Sequence, residues 1–493
     1  LHGSLGTEET SAYIGVETGG GLTPLAVEVL RRRFDSADPV AEWRPPRPDW
    51  RSGLPGLEVL EAELSRLSSS RGRVVLYGHD DMDGMTGLFI GCRVLSLHGF
   101  EVAPVVPDRS SDDYGLLPSR MDSLLRPGDL LLTVDNGCSS VEGVEWALER
   151  GARVVITDHH TLNPPLPRAH ALIDPQSVGW PATVLAGCGV LHAALSCIFP
   201  DCEDDPSLIA AAVLGTVSDR VPLLAWNRHL LSRFDSLGDE GLTEGLKVIL
   251  GAWPGRGSQW CASQVRQQIT STVGKGLESG MSRLLELMES DDRRASLAQW
   301  QEMTVRAEAR SRVLAELLGR AIAGRDPEGD ALGMVLVNLG DIPPGMGGTL
   351  ASKLSRIFRR TAIVVTRRED GVLLGEARSP GDWNVAAFLV GMKGVFESAG
   401  GHERAAGFSA VGLSWEALRD RLLAHADTHP ASRVPDPHVD LELDTLPPAS
   451  DLACLAPFGP GFPPPAVRVN SLRHLLQVGP GGPGWCISED SGE

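Results

Sequence analysis

Apolar positions in the first half of the chain follow two periods in turn. Val74–Tyr77, Leu130–Val134 and Val154–Thr157 are short runs rich in β-branched residues and read as buried strands. Between them, 88–97 and 141–148 carry apolar residues at helical spacing, and 208–214 is a further apolar helical stretch. Strands alternating with helices predict a parallel sheet, because each crossover helix returns the chain to the end of the sheet at which the previous strand began. Upstream, Thr23 to Phe34 reads as a helix with Thr23 as N-cap and Pro24 at its first position. A proline-rich crossing, Arg44 to Pro48, and a second helix, Leu57 to Leu67, complete a lead-in that is expected to pack on the sheet domain.

These patterns divide the chain into a lead-in (1–69), a parallel-sheet domain (70–285), a connecting helix (286–326), a second, smaller α/β domain (327–430) and a C-terminal piece (431–493). Leu297, Trp300, Met303, Val313, Leu317 and Ile322 give the connecting segment its helical period, and it reads as a rigid strut ending at Gly324. Strand and helix patterns resume after Asp326-Pro327, at 334–339, 350–358, 362–366, 372–377 and 385–390. The last piece, with its Pro457-to-Pro465 run, is turn-rich and too short for a full core.

A chain of 493 residues with 42% hydrophobic composition needs more than one core and has the material for them. No apolar run approaches the roughly 18 residues of a membrane helix, and the amino end is polar and glycine-rich rather than a leader. The eight scattered cysteines form no paired motif and read as reduced thiols of a cytoplasmic protein. A net charge of −19 argues against coating duplex DNA by bulk attraction, so any nucleic acid must be held by local clusters.

Chemistry concentrates immediately after the strands. His79-Asp80-Asp81-Met82-Asp83-Gly84 follows the first, Asp135-Asn136-Gly137 the second and Asp158-His159-His160 the third, where an open parallel sheet gathers ligands. Asp219, in the segment Gly215 to Pro222, is a fourth contributor. Each motif alone is a turn signal; together they converge. Asp81, Asp83, Asp135 and Asp219 in one cleft cannot stay ionised without cations between them. Carboxylate with imidazole, without paired thiolates, favours manganese or magnesium over zinc. Two such ions roughly 3.5 to 4 Å apart suit phosphoester hydrolysis by in-line attack.

At these residues the chain resembles the DHH phosphoesterases, whose name is the triplet Asp158-His159-His160, and within them the RecJ-type single-stranded-DNA exonucleases. Tyr77–Gly84, Thr133–Gly137, Leu185–Val190 and Leu214–Leu223 follow the order of that group, as do Ala377-Arg378-Ser379, Gly400–Phe408 and Pro457-Phe458-Gly459. The resemblance implies a parallel-sheet DHH domain joined by a long helix to a smaller α/β DHH-associated domain, with a short OB-like C-terminal piece. It implies two manganese ions, magnesium being an alternative, bridged by Asp135. Asp81 would hold one ion, to which His79 adds an imidazole ligand as a departure from the family pattern, and Asp83, His159 and Asp219 the other. His160 would face the scissile phosphate, with Asp158 orienting the histidines, while Arg378, Ser379, Gly400, Gly401 and His402 would grip the substrate.

The implied activity is 5′-to-3′ hydrolysis of single-stranded DNA in repair and recombination, in an interdomain cleft that admits one strand and excludes a duplex. Trp383 and Phe396 are candidate base-stacking residues, and Lys353, Arg356, Arg359 and Arg360 a candidate basic ledge. Two features point instead to short oligonucleotides or cyclic dinucleotides. Ile269 to Gly276 replaces an Asn-Ala-Ala-Gly-Arg loop of relatives, and the tail is too short for a five-stranded barrel. His79 stands where relatives often carry aspartate. A non-catalytic replisome scaffold would have lost metal carboxylates, which are all present here.

Overall fold

Side chains of the first-domain strands separate onto two faces, as a period of two requires. Val74, Leu76, Leu130, Leu132, Val134 and Val155 enter one core, whereas Val75, Tyr77, Leu131, Val154 and Ile156 enter another on the opposite face. A computed structural model describes residues 21–69, 72–107, 115–256, 260–273, 280–343, 345–368, 370–381, 383–392, 394–429, 438–470, 474–478 and 485–488. It contains β1 (Val74–Tyr77), β2 (Val102–Val105), β3 (Leu130–Val134), β4 (Arg153–Thr157) and β5 (Ala171–Ile173), all parallel in the order β2-β1-β3-β4-β5. β3 is central, between β1 and β4, so the loops leaving these three strands lie side by side.

Two strands were not among the predicted ones, for identifiable reasons. β2 is an edge strand that contains Pro104 and buries only Val105 fully, and β5 has three residues. The helix predicted over 88–97 begins earlier and spans Met82–Leu97. Its first turns are buried on every side, so they lack the polar face that betrays an amphipathic helix. Asp81 caps it, accepting from the Gly84 amide at 3.1 Å. Asp83 therefore lies in the first helical turn, not in a loop.

The predicted strut is two helices, Gly280–Glu289 and Arg293–Ala323, parted where Asp292 caps the second through the amides of Arg294 and Ala295. The compact units divide inside the longer one. Residues up to Thr304, together with those from His438 onward, form the first unit, and Val305–Pro437 form the second.

The second unit holds a mixed sheet of β6 (Met334–Gly340), β7 (Thr361–Arg367), β8 (Leu373–Arg378), β9 (Ser398–His402) and β10 (Ala405–Ala410), in the order β6-β7-β8-β10-β9. β6 and β7 are parallel and the other pairs antiparallel. Cores lie on both faces, one under the helices Val385–Gly391 and Trp415–Thr428, the other under Gly347–Phe358. Trp383 packs 4.7 Å from the Phe388 ring, and Phe396 stacks on Phe408 at 4.3 Å, so both belong to this core and are not free stacking platforms.

Residues from His438 onward contribute β11 (Leu441–Leu443), β12 (Ala466–Val469), β13 (His474–Val478) and β14 (Trp485–Ser488), sequentially ordered, with only β11 and β12 parallel. The helix Pro24–Arg33 packs here, not on the parallel sheet: Ala26, Val29, Leu30 and Trp43 share a core with Leu441, Leu452, Phe458, Phe462 and Val467. The later lead-in, from Trp50 to Leu67, does join the first-domain core. Arg228 stitches the pieces together, lying over the rings of Trp43 and Phe462 and donating to the Pro457 carbonyl at 3.0 Å. Burial pushes its guanidinium down to about 9.

Arg33 donates to both oxygens of buried Asp440, at 2.6 and 2.7 Å, and the Ala466 amide donates to the same carboxylate. Arg33→Ala leaves that carboxylate buried without its cation and should cost about 3 to 5 kcal/mol in urea unfolding. Adding Asp440→Asn should return part of the loss. An unfolding midpoint unchanged by Arg33→Ala would show that the pair does not hold these ends.

Candidate metal centre

β1, β3 and β4 end side by side, and each delivers ligands at its carboxyl end. Asp135 leaves β3 in a left-handed conformation (φ 62°), a geometry that aspartate tolerates better than most residues, while its amide still donates to the Thr157 carbonyl at 3.1 Å. The Asn136 side-chain amide donates to the Gly78 carbonyl at 2.8 Å, tying the loop after β3 to the loop after β1. Asp158 follows β4 and is buried. It accepts from the amides of Cys138 and His159 at 3.0 and 2.8 Å and holds His160 Nδ1 at 2.7 Å.

Two ligand sets result. His79, Asp81 and Asp135 form one, and Asp83, His159 and Asp219 the other. His79 Nδ1 lies 3.2 Å from Asp81 Oδ2 and 3.4 Å from Asp135 Oδ2. His159 Nε2 lies 3.1 Å from Asp135 Oδ1, 3.6 Å from Asp219 Oδ2 and 3.7 Å from Asp83 Oδ2. Asp135 thus turns one oxygen towards each set. His79 Nδ1 is buried close to two carboxylates yet aligned for a hydrogen bond with neither, as a metal ligand would be. Its other nitrogen faces Asp80 at 3.4 Å, the kind of outer contact that fixes a ligand's ring.

The electrostatics have the same origin. Burial, with Asp135 and Asp219 close by, raises the Asp83 carboxyl well above its ordinary value, and burial raises Asp219 to about 6. Burial works to lower His79, but Asp135 and Asp81 hold it up at about 10, and His159 is likewise held high by Asp135, Asp83 and Asp219. Without a cation the site therefore gathers protons. The hydrogen bond to Asp158 raises His160, whose ring is half exposed and keeps Nε2 free to face outward.

The residues that position Asp83 were not assigned roles from sequence. The amides of Gly187 and Cys188, at the start of the helix Gly187–Ile198, donate to its two oxygens at 2.7 and 2.8 Å. A Cβ on Gly187 would sit 2.5 Å from Asp135 Cβ and 2.6 Å from its Cα, so only glycine lets this helix approach. A glycine opening an apolar helix was the available signal. Gln176, which donates to the His159 carbonyl at 3.3 Å, gave none.

In the second unit, register places Arg378, Ala405 and His402 in one row across β8, β10 and β9. The side chain of His402 lies outside the described residues. Arg378 is half buried against Glu376, at 3.1 Å, and the buried Ser379 hydroxyl has no hydrogen-bond partner among the described residues. Gly400 and Gly401 lie within the edge strand β9. Gly401 has φ 139° and a Cβ there would meet the Ala405 carbonyl at 2.4 Å, whereas no heavy atom lies within 4 Å of the same position on Gly400. The basic ledge lies on or just after the helix Gly347–Phe358, with Arg356, Arg359 and Arg360 exposed. Of the departing stretch 269–276, Arg266–Thr270 is a π-helical turn whose Thr270 hydroxyl meets Ser218 at 2.9 Å; 274–276 lie outside the described residues.

The profile of the DHH family, N-terminal domain, matches residues 73–216, and that of the DHHA1 domain matches 333–428. The single-stranded-DNA-specific exonuclease RecJ of Dickeya dadantii is 30% identical over 74% of this chain and 68% of its own length. The protein of that name from Thermus thermophilus is 30% identical over 86% of this chain and 64% of its own. The chain spans 60% to 64% of the length of the first two curated relatives it matches. Crystalline RecJ from Thermus thermophilus in complex with Mn2+ superposes with a TM-score of 0.76 at 24% identity, covering 96% of this chain and 71% of that one.

Two outcomes follow from the geometry. Divalent-cation binding must displace protons from His79 and His159, so manganese affinity should climb about tenfold per pH unit per displaced proton between about pH 6 and 8. Titration calorimetry in buffers of different ionisation enthalpy checks this, and a pH-independent affinity would contradict it. Gly187→Ala should push Asp135 aside and weaken manganese binding by about tenfold or more at a stability cost of about 1 to 3 kcal/mol. Unaltered affinity would show that the close approach is not needed.

Proposed function

This chain belongs to the RecJ group of the DHH family, and on that premise we propose that it is a two-metal phosphodiesterase that degrades single-stranded DNA from a 5′ end in repair and recombination. Asp135 carries the reading, because its two oxygens face two separate sets of carboxylate and imidazole donors. Its curated relatives are named single-stranded-DNA-specific exonucleases, and one was crystallised with Mn2+.

His79, Asp81 and Asp135 would hold one manganese or magnesium ion, and Asp83, His159 and Asp219, with Asp135, the other. Bound there, the ions supply an activated water near neutral pH and neutralise charge on a phosphodiester. The protein's own residues do the rest. Gly187 and Cys188 hold both Asp83 oxygens in place by backbone amides. Asp158, held ionised by the hydrogen bond from His160 despite its burial, keeps that imidazole protonated and aimed outward. His160 then donates to a non-bridging oxygen of the scissile phosphate and stabilises charge as it develops.

Arg378, Ser379, Gly400, Gly401 and His402 form the strand-binding face of the DHHA1 domain, in the arrangement that β8 and β9 give them. Open backbone at Gly400 suits close contact with phosphate, and Arg378 supplies a charge-assisted donor. A cytoplasmic location accords with the described residues, where no helix is long and apolar enough to cross a membrane.

Asp135→Ala should abolish turnover by about a thousandfold or more while circular dichroism stays native; retention of a tenth of the activity would remove Asp135 from the role. Arg378→Ala should raise KM for single-stranded DNA more than it lowers kcat, and an unchanged KM would free Arg378 from substrate contact. A long 5′-labelled single strand should release label as mononucleotide from the first turnovers. Preference for a dinucleotide over that strand would replace this substrate with the short-oligonucleotide one.

A further inference from the structure

The far end of the helix Met82–Leu97 carries a second constellation of ligand atoms. His98 follows its last turn, and one donor atom each from His98, Asp201 and Cys202 lie within 4.8 Å of one another. Sixteen residues of helix, about 24 Å at 1.5 Å per residue, separate this group from the metal centre at the other end.

The tautomer of His98 can be read from its surroundings. Nδ1 lies 2.8 Å from the Val94 carbonyl, which can only accept, so Nδ1 carries hydrogen. The ring stacks on Phe199 at 3.9 Å and 27°, which fixes its plane, and Phe199 immediately precedes the turn Pro200–Cys202 that bears the other two donors. In the neutral ring Nε2 is then the lone-pair nitrogen, and it lies 3.3 Å from Asp201 Oδ1. Two acceptors face each other, and a cation between them makes the contact favourable. A proton would make an ordinary ion pair and leave the adjacent thiol idle. A metal ion uses all three. An imidazole whose other nitrogen is tied to a backbone carbonyl is also the usual setting of a metal-bound histidine.

We propose that His98, Asp201 and Cys202 form a second metal site, for a borderline-soft divalent cation of which zinc fits best, with the fourth position open to solvent. The donor set separates it from the first centre: thiolate with imidazole and one carboxylate selects zinc or cobalt, whereas carboxylates with imidazole select manganese or magnesium. Burial and the neighbouring carboxylates of Asp201 and Asp205 hold the Cys202 thiol up at about 11, so binding would release its proton to water while His98 keeps hydrogen on Nδ1.

Placement suggests what the ion does. The cluster joins the end of the helix Met82–Leu97 to the connection between the helices Gly187–Ile198 and Pro206–Asp219. The near ends of those three helices carry Asp83, the Gly187 and Cys188 amides and Asp219. An ion here ties their far ends and keeps the ligand-bearing ends in register.

Cobalt(II) is the probe. The intact chain, with its first centre saturated by manganese, should take up one equivalent of cobalt with the near-ultraviolet charge-transfer absorption of a thiolate–cobalt bond, and zinc should bleach it. Cys202→Ser should abolish the band, and Asp201→Asn, at an exposed position, should weaken cobalt binding about tenfold or more. His98→Gln tests the imidazole. Zinc should raise the melting temperature of the parent chain and not that of these variants. Absence of the band in the folded parent chain, its survival in Cys202→Ser, or unchanged affinity in both Asp201→Asn and His98→Gln would overturn the proposal. Should Cys202→Ser fail to fold, the other two substitutions decide.

Discussion

Like charge brought together by the backbone is the constraint on which the rest of this protein depends. Burial and the charge of Asp135 raise the proton affinity of Asp83 and Asp219, and His79 and His159 among them are held protonated in return. Such a site is tolerable only because compensation is built around it. Two amides at a helix start take both oxygens of Asp83, and Asp158 is satisfied by amides and by His160. The inner face gathers the remaining carboxylates and imidazoles, and that face has the donor chemistry of a divalent-cation pair.

Parallel topology does the assembling. The central position of β3 places Asp135 between the loops that carry His79 and His159, so a residue that must reach both sets comes from the only strand flanked by the other two. Its left-handed backbone turns the carboxylate inward at a small local cost. Helices then press in to distances that only glycine permits, as Gly187 does against Asp135. The placement of the candidate ligands is inherited from sheet order and helix contact.

Much of this was legible in the residues. β1, β3 and β4 announced themselves by β-branched apolar runs, and the residues brought together beyond them by their acidic and imidazole side chains. The start of the Met82–Leu97 helix was hidden because a helix buried all round has no polar face to mark its period. β2 and β5 were hidden because edge strands this short carry almost no pattern. The Gly187 and Cys188 amides belong to the backbone and leave no side-chain signature. Strand β9 was hidden because glycines such as Gly400 and Gly401 are rare inside strands, and its pairing with β10 appears only in three dimensions. The union of the Pro24–Arg33 helix with Phe458 and Val467 could not be read locally, since it joins positions more than four hundred apart.

That union bears on biosynthesis. The core formed by Leu30, Trp43, Phe458 and Phe462 cannot close until the ribosome has passed residue 462, whereas Val305–Pro437 has all its described strands once residue 410 has emerged. The nascent Pro24–Arg33 helix must therefore wait with its apolar stripe uncovered while the Val305–Pro437 unit folds downstream of it. Chaperone capture during translation, if it occurs at one place on this chain, should fall on that helix.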